Sequence, residues 1–187
     1  MAEKATVFKA DLQIADMDRH YYRTHVLTLA RHPSETDERM MVRLLAFALY
    51  ASEALVFGKG VSSEDKPALW QKDLTGVIER WIEVGQPDER EIRKASGRAQ
   101  HVAIISYGRS ADLWWNQNRD KLQRLDNLTV FRLPTAGTQA LAAFASRNMQ
   151  LQCTIQEGLV WITAEAGAVQ IEPLALLRAA GDKSANG

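Results

Sequence analysis

The sequence predicts an α/β domain in which a mixed β-sheet is flanked by helices. Three observations carry this. Residues 4–14 and 21–31 alternate apolar and polar side chains, the mark of half-buried strands. The middle of the chain alternates strand-like and helix-like segments, the order expected of strands joined through covering helices. Val102-Ala103-Ile104-Ile105 is an unbroken apolar run, as a strand covered on both faces requires.

Along the chain, Thr6, Phe8, Ala10, Leu12 and Ile14 share one strand face, and Asp16 to Arg19 form a turn into a second strand, giving an opening antiparallel hairpin. His32-Pro33-Ser34 stops that strand. Ser34 is the expected N-cap of a helix running to about Ser52, with Glu35, Asp37 and Glu38 in its first turn, where the helix dipole favours acids. Met41, Leu44, Leu45, Ala48 and Leu49 form its apolar stripe.

Leu55-Val56-Phe57 is a short strand. Residues 58–67 are polar and rich in Gly, Ser and acids, a surface loop. Asp73-Leu74-Thr75-Gly76 has turn chemistry and leads into a strand over Val77 to Val84. Pro87 opens a short charged helix over Asp88 to Arg98. After the Val102 run, Ser110 caps a helix to about Leu125, Leu128 to Leu133 is a strand, and Pro134-Thr135 open a small-residue helix to about Ser146. Leu151 to Trp161 reads as a second hairpin. The domain is expected over residues 1–178, with 179–187 a flexible tail.

Composition narrows the function. The 187 residues are 46% hydrophobic and 25% charged, ordinary for a globular chain and unlike a disordered one. No apolar stretch is long enough to span a membrane, and no apolar segment follows the N-terminus as in a secretory signal. The 23 basic and 23 acidic side chains balance, so DNA or RNA would have to be held through a local basic patch rather than a global field. One cysteine, Cys153, permits no internal disulfide, and the four histidines show no metal-ligand spacing. These features predict a cytoplasmic chain.

There is no Gly-rich phosphate loop and no GxSxG elbow. What remains is a set of carboxylates. Asp73 precedes a turn, Glu83 sits on the following strand, and Glu38 projects from the preceding helix. Hard oxygen ligands of this kind suit Mg²⁺ or Mn²⁺, which would polarise a phosphoryl oxygen. Each acid also has a plain structural role, as turn residue, solvated strand residue or first-turn helix acid. Arg90, Arg93, Lys94 and Arg98 could form a phosphate-binding ridge, but Asp88, Glu89 and Glu91 interleave with them. Trp114-Trp115 offers one core and one partly exposed ring, and His101 reads as a hydrogen-bonded structural histidine.

Two stretches carry a resemblance. Arg31-His32-Pro33-Ser34-Glu35-Thr36-Asp37-Glu38-Arg39-Met40-Met41-Val42-Arg43-Leu44-Leu45-Ala46 and Trp81-Ile82-Glu83-Val84-Gly85-Gln86-Pro87-Asp88-Glu89-Arg90 resemble the signature of the bacterial YaeQ family, as do residues 4–10 and the Leu151 to Trp161 hairpin. The resemblance implies a variant of the PD-(D/E)XK nuclease-like fold, whose active members cleave phosphodiesters with Mg²⁺. It implies Asp73, Glu83 and Glu38 as metal ligands, with Asp73 and Glu83 catalytic. The lysine expected two positions after Glu83 is replaced by Gly85, which makes Lys94 the substitute catalytic candidate and Arg90 the substrate-binding one. The readings that follow are a metal-dependent nuclease, an inactive nuclease-fold module that binds nucleic acid or protein, and an interaction protein whose acids are structural.

Overall fold

The computed structural model describes residues 4–58, 65–182 and 184. They form two sheets where the sequence reading expected one. The first contains β1 (Thr6–Asp16), β2 (Tyr21–Arg31), β8 (Asn148–Gln156), β9 (Leu159–Ala164) and β10 (Gly167–Ile171), in the order β10-β9-β8-β1-β2. The second contains β3 (Leu55–Phe57), β4 (Leu69–Lys72), β5 (Ile78–Val84), β6 (Ala99–Ser106), β7 (Leu128–Arg132) and β11 (Leu174–Leu177), in the order β11-β7-β6-β5-β4-β3. Both are mixed: β8 joins β1 in parallel, and β5, β6 and β7 run parallel to one another.

The division has a physical cause. β1 and β8 alternate buried and exposed residues, so each has one wet face. β6 and β7 are buried almost throughout and need cover on both faces. The two hairpins at the chain's ends therefore pair with each other, and the central strands make a separate, doubly covered sheet. β10 and β11 went unread because they are only 5 and 4 residues long, the first beginning with a glycine and the second following a proline.

Between the sheets lies α1 (Asp37–Tyr50), and every residue from Met40 to Tyr50 is buried. A helix with sheets on two sides is apolar nearly all round, which is why the expected stripe was too narrow. Its N-cap is Thr36, whose Oγ1 accepts from Arg39 N at 3.1 Å, rather than Ser34. At the other end no basic residue lies in the last turn. Arg19 from the β1–β2 turn supplies that charge, donating to the carbonyls of Ala51 at 3.2 Å and Ala48 at 3.3 Å while Asp16 holds it at 2.6 Å.

α2 (Glu89–Arg98) and α3 (Ala111–Leu122) cover the far face of the second sheet, where Trp81, Ile92, Val102, Ile104, Trp114 and Trp115 form a separate core. Both Trp114 and Trp115 are buried, so neither offers an open stacking platform. α4 (Thr135–Ala142) packs beside α1. The expected flexible tail is docked as far as it is described. Ala179 and Ser184 are buried, Ala179 N donates to Thr129 Oγ1 at 3.1 Å, and Asp182 accepts from the Tyr50 hydroxyl at 3.0 Å and Ser184 Oγ at 2.7 Å.

Candidate functional site

The first expected ligand, Asp73, is a turn residue. Its Oδ1 accepts from Thr75 Oγ1 at 2.7 Å, Thr75 N at 2.8 Å and Val77 N at 3.0 Å. The Thr75 hydroxyl, with those backbone donors, holds its carboxyl below the usual range. This contact fixes Asp73 beside Val77. Glu83 lies six residues further along an extended strand, about 20 Å away at roughly 3.3 Å per residue. The two acids sit at opposite ends of β5.

Glu83 is buried and shares its face with Trp81, whose Nε1 donates to Glu83 Oε1 at 3.2 Å. It lines a cavity of about 10 Å³, room for about one water, beneath Glu91, Ile92 and Ala95 of α2. Glu38 belongs to α1, on the opposite side of the same sheet, where Ile82, Val84 and Ile105 face the inter-sheet core. It lies close enough to Tyr107 to help raise the phenol; burial is the larger cause, with Arg39 acting against it. Glu83, Glu38 and Asp73 thus occupy three places. Among the described residues no group of three or more His, Cys, Asp or Glu could hold a metal ion. The expected Mg²⁺ or Mn²⁺ cage does not fit this arrangement, and no chemical step is routed through it.

Gly85 has a backbone reason to be glycine. Its φ is +95°, in the left-handed region that disfavours side chains. A Cβ there would meet Tyr107 Cε1 at 4.0 Å, so the space points toward Tyr107. Lys94 is exposed on the turn of α2 whose neighbours Glu91 and Ala95 close over Glu83. Of the residues chosen from the sequence, only Glu83 and the helical turn carrying Lys94 are brought together.

Arg90 stands in a different setting. It lines an open groove of about 480 Å³ with Gln86, Glu89, Trp114, Asn118 and Lys121, between the start of α2 and the outer face of α3. The groove opens at the carboxyl end of β5, where open α/β sheets commonly receive ligands. Its acids are committed: Asp88 caps α2 by accepting from Arg90 N at 2.8 Å, and Glu89 pairs with Arg93 at 2.9 Å. The side chains of Arg90 and Lys121 have no ion-pair or hydrogen-bond partner among the described residues. Two cations without a side-chain partner, beside two acids that have partners of their own, leave donors for an anionic ligand.

Sequence reasoning missed Lys121. Its signal was helical spacing, since Trp114, Asn118 and Lys121 fall at i, i+4 and i+7 on one face. It also misjudged Glu35, which lies before α1 and is buried against Arg43, with Oε1–Nη2 at 2.5 Å and Oε2–Nε at 2.9 Å, and against Arg39. His101 departs from expectation too: its Nδ1 is buried without a hydrogen-bond partner among the described residues.

A family model described as YaeQ protein matches residues 1–173. The uncharacterised protein YaeQ of Salmonella typhi is 46% identical over 173 residues, covering 92% of this chain and 96% of its own; that of Escherichia coli K12 is 45% identical over 172 residues, covering 91% and 95%. The crystal structure of the YaeQ protein from Xanthomonas axonopodis pv. citri superimposes with a TM-score of 0.89 at 48% identity, covering 92% of this chain and 98% of that one. That of the Pseudomonas syringae protein gives 0.90 at 36% identity, covering 96% and 98%.

Proposed function

Starting from a chain that belongs to the YaeQ family, we propose that it is a binding module that holds the phosphate backbone of nucleic acid in the groove between α2 and α3, without metal-dependent cleavage. We keep the PD-(D/E)XK-like assignment of the second sheet, a mixed sheet with helices on both faces, as part of this proposal. The observation that carries the reading is the pair Arg90 and Lys121, left without partners in a groove whose acids are engaged. Guanidinium and ammonium groups are the usual phosphate donors, and two of them in one groove give modest, salt-sensitive binding. Gln86 and Asn118 add amide donors that can position a sugar–phosphate chain without reading its sequence.

The test is fluorescence anisotropy of labelled single- and double-stranded DNA and RNA across a salt series. Binding should weaken as salt rises. Arg90→Ala and Lys121→Ala should each lower the magnitude of the salt slope by about 1, the value for one lost phosphate contact. Binding that neither variant alters would overturn the assignment of the groove. A parallel incubation with Mg²⁺ or Mn²⁺ should leave the nucleic acid intact. Cleavage that Glu83→Gln and Lys94→Ala both abolish would overturn the non-cleaving reading and restore those two residues to a catalytic role.

A further inference from the structure

β2 reads Tyr-Tyr-Arg-Thr-His-Val-Leu-Thr-Leu-Ala-Arg, rich in β-branched and aromatic residues and without Pro or Gly. It forms one edge of its sheet. The other sheet edges are short: β10 has 5 residues, β11 has 4 and β3 has 3, whereas β2 has 11. Natural proteins blunt long edges with prolines, bulges, lysines or covering elements. β2 carries no lysine, and its register with β1 runs unbroken from Thr6↔Arg31 to Asp16↔Tyr21.

The direction of its free backbone groups follows from the neighbouring strand. Lys9 N donates to Arg147 O and Met17 N to Ile155 O, each at 2.8 Å, so odd-numbered residues of β1 face β8 and even-numbered ones face β2. By register, Ala10, Leu12 and Ile14 meet Leu27, His25 and Arg23. The odd-numbered residues of β2 therefore spend their N–H and C=O groups inward. Those of Tyr22, Thr24, Val26, Thr28 and Ala30 point out from the edge. Arg43 reaches the Ala30 carbonyl at 3.1 Å, as an outward orientation allows. The side chains of the same residues are exposed, Val26 at 77% and Tyr22 at 58%.

We propose that β2 pairs antiparallel with β2 of a second copy of this chain about a two-fold axis at Val26, joining the two five-stranded sheets into one. The outward parity makes Val26 opposite Val26 a hydrogen-bonded pair, flanked by Thr24 opposite Thr28 in both directions, for about six new backbone hydrogen bonds. An isologous contact demands that the surface complement itself, and this one does. On the open face Val meets Val, Thr meets Thr, and Tyr22 meets Ala30. On the other face His25 meets Leu27 and Arg23 meets Leu29. No two like charges stand opposite each other, although β2 carries Arg23, His25 and Arg31, and β-branched pairs are favourable across strands. The charge pattern argues for self-pairing over a foreign strand, because Arg23 and Arg31 are already paired within the chain, with Glu53 and Asp37, and call for no acidic complement from a partner.

The experiment is sedimentation equilibrium of the full chain over a wide concentration range, for wild type, Val26→Lys, Val26→Glu and an equimolar mixture of the two variants. A residue on the axis faces itself. Each charged variant alone should therefore self-associate about tenfold or more weakly than wild type. The mixture, with Lys opposite Glu, should recover dimer. Val26→Thr, which keeps a β-branched side chain, should dimerise as wild type does. Circular dichroism of all variants should match wild type, since the Val26 side chain is 77% exposed. A wild type that stays monomeric at its highest concentration, a Val26→Lys variant that associates as wild type does, or a mixture that gains nothing over its components would each overturn the proposal.

Discussion

Two charged stretches that look alike in the sequence are put to opposite uses. From Arg31 to Arg43 the charges pair with one another, and the Glu35–Arg43 pair does so inside the protein. Arg31 pairs with Asp37, and Glu35 accepts from both Arg39 and the fully buried Arg43, which also stands over the Phe57 ring. From Glu83 to Lys94, Glu83, Asp88 and Glu89 are engaged locally and Arg90 is left open to the groove. What lies around each helix makes the difference. α1 has a sheet on either side, so a charged residue on it must bring its own partner. α2 has solvent on one side, so a cation there can stay hydrated until a ligand replaces the water.

The largest expected effect comes from breaking the inward network. Glu35→Ala would leave Arg43 buried without its carboxylate, and the cost of such an orphaned charge is about 3–5 kcal/mol. Denaturant unfolding of Glu35→Ala beside Glu38→Ala measures it. Glu38, partly exposed at the start of α1, should cost far less. Equal losses at the two positions would erase the distinction between the stretches.

The docked tail is a second inward device with a smaller effect. Burial alone would raise the Asp182 carboxyl, but hydrogen bonds from Thr129, Ser184 and Tyr50 outweigh it and hold the group below the usual carboxylate range. A depressed folded-state value means that the stabilisation is complete above the ordinary pKa near about 4, and is lost as pH falls through the lowered value. Asp182→Asn should cost about 1–2 kcal/mol at neutral pH and flatten this acid limb. Hydrogen exchange at the Ala179 amide, which donates to Thr129, should report undocking in acid for wild type.

Much of this was legible before the structure. The opening hairpin, the β5 strand, the charged α2 and the doubly buried β6 all follow from periodicity and caps. Periodicity does not say which strands share a sheet. The contrast between alternating β1 and continuous β6 held that information, but only as a statement about how many faces are covered. The carboxylate set failed for a related reason. A turn and the strand after it put Asp73 and Glu83 near each other in sequence, while the six-residue extended run from Val77, which Asp73 touches, to Glu83 separates them by about 20 Å. Glu35 was read as a dipole-favoured acid because Ser34 looked like the cap. With Thr36 as the cap, Glu35 falls outside the helix and turns inward.

At Asp73 the expected effect is local. Asp73→Ala removes the acceptor for Thr75 and Val77, so exchange of those two amides should quicken at the hairpin tip while the global unfolding transition stays nearly in place. Adding Mg²⁺ should change neither measurement, in wild type or variant. A Mg²⁺-dependent shift in the melting temperature that Asp73→Ala removes would bring this residue back as a ligand.

The smallest effect on stability is the most discriminating. Arg90 and Lys121 are exposed and make no contact that folding requires, so Arg90→Ala, Lys121→Ala and the double variant should each unfold within about 0.5 kcal/mol of wild type. Asp88 should keep capping α2 in the Arg90 variant, because the donor is the backbone N–H of residue 90 and not its side chain. A slight gain in stability would also fit, since two cations facing one groove repel each other and removing either relieves that repulsion. The gain should shrink as salt rises and screens the pair. A large loss would mean that these cations are spent inside the protein as Arg43 is, and the contrast between the two stretches would collapse. Near-neutral stability joined to lost nucleic-acid binding is what separates a side chain kept for a ligand from one kept for the fold.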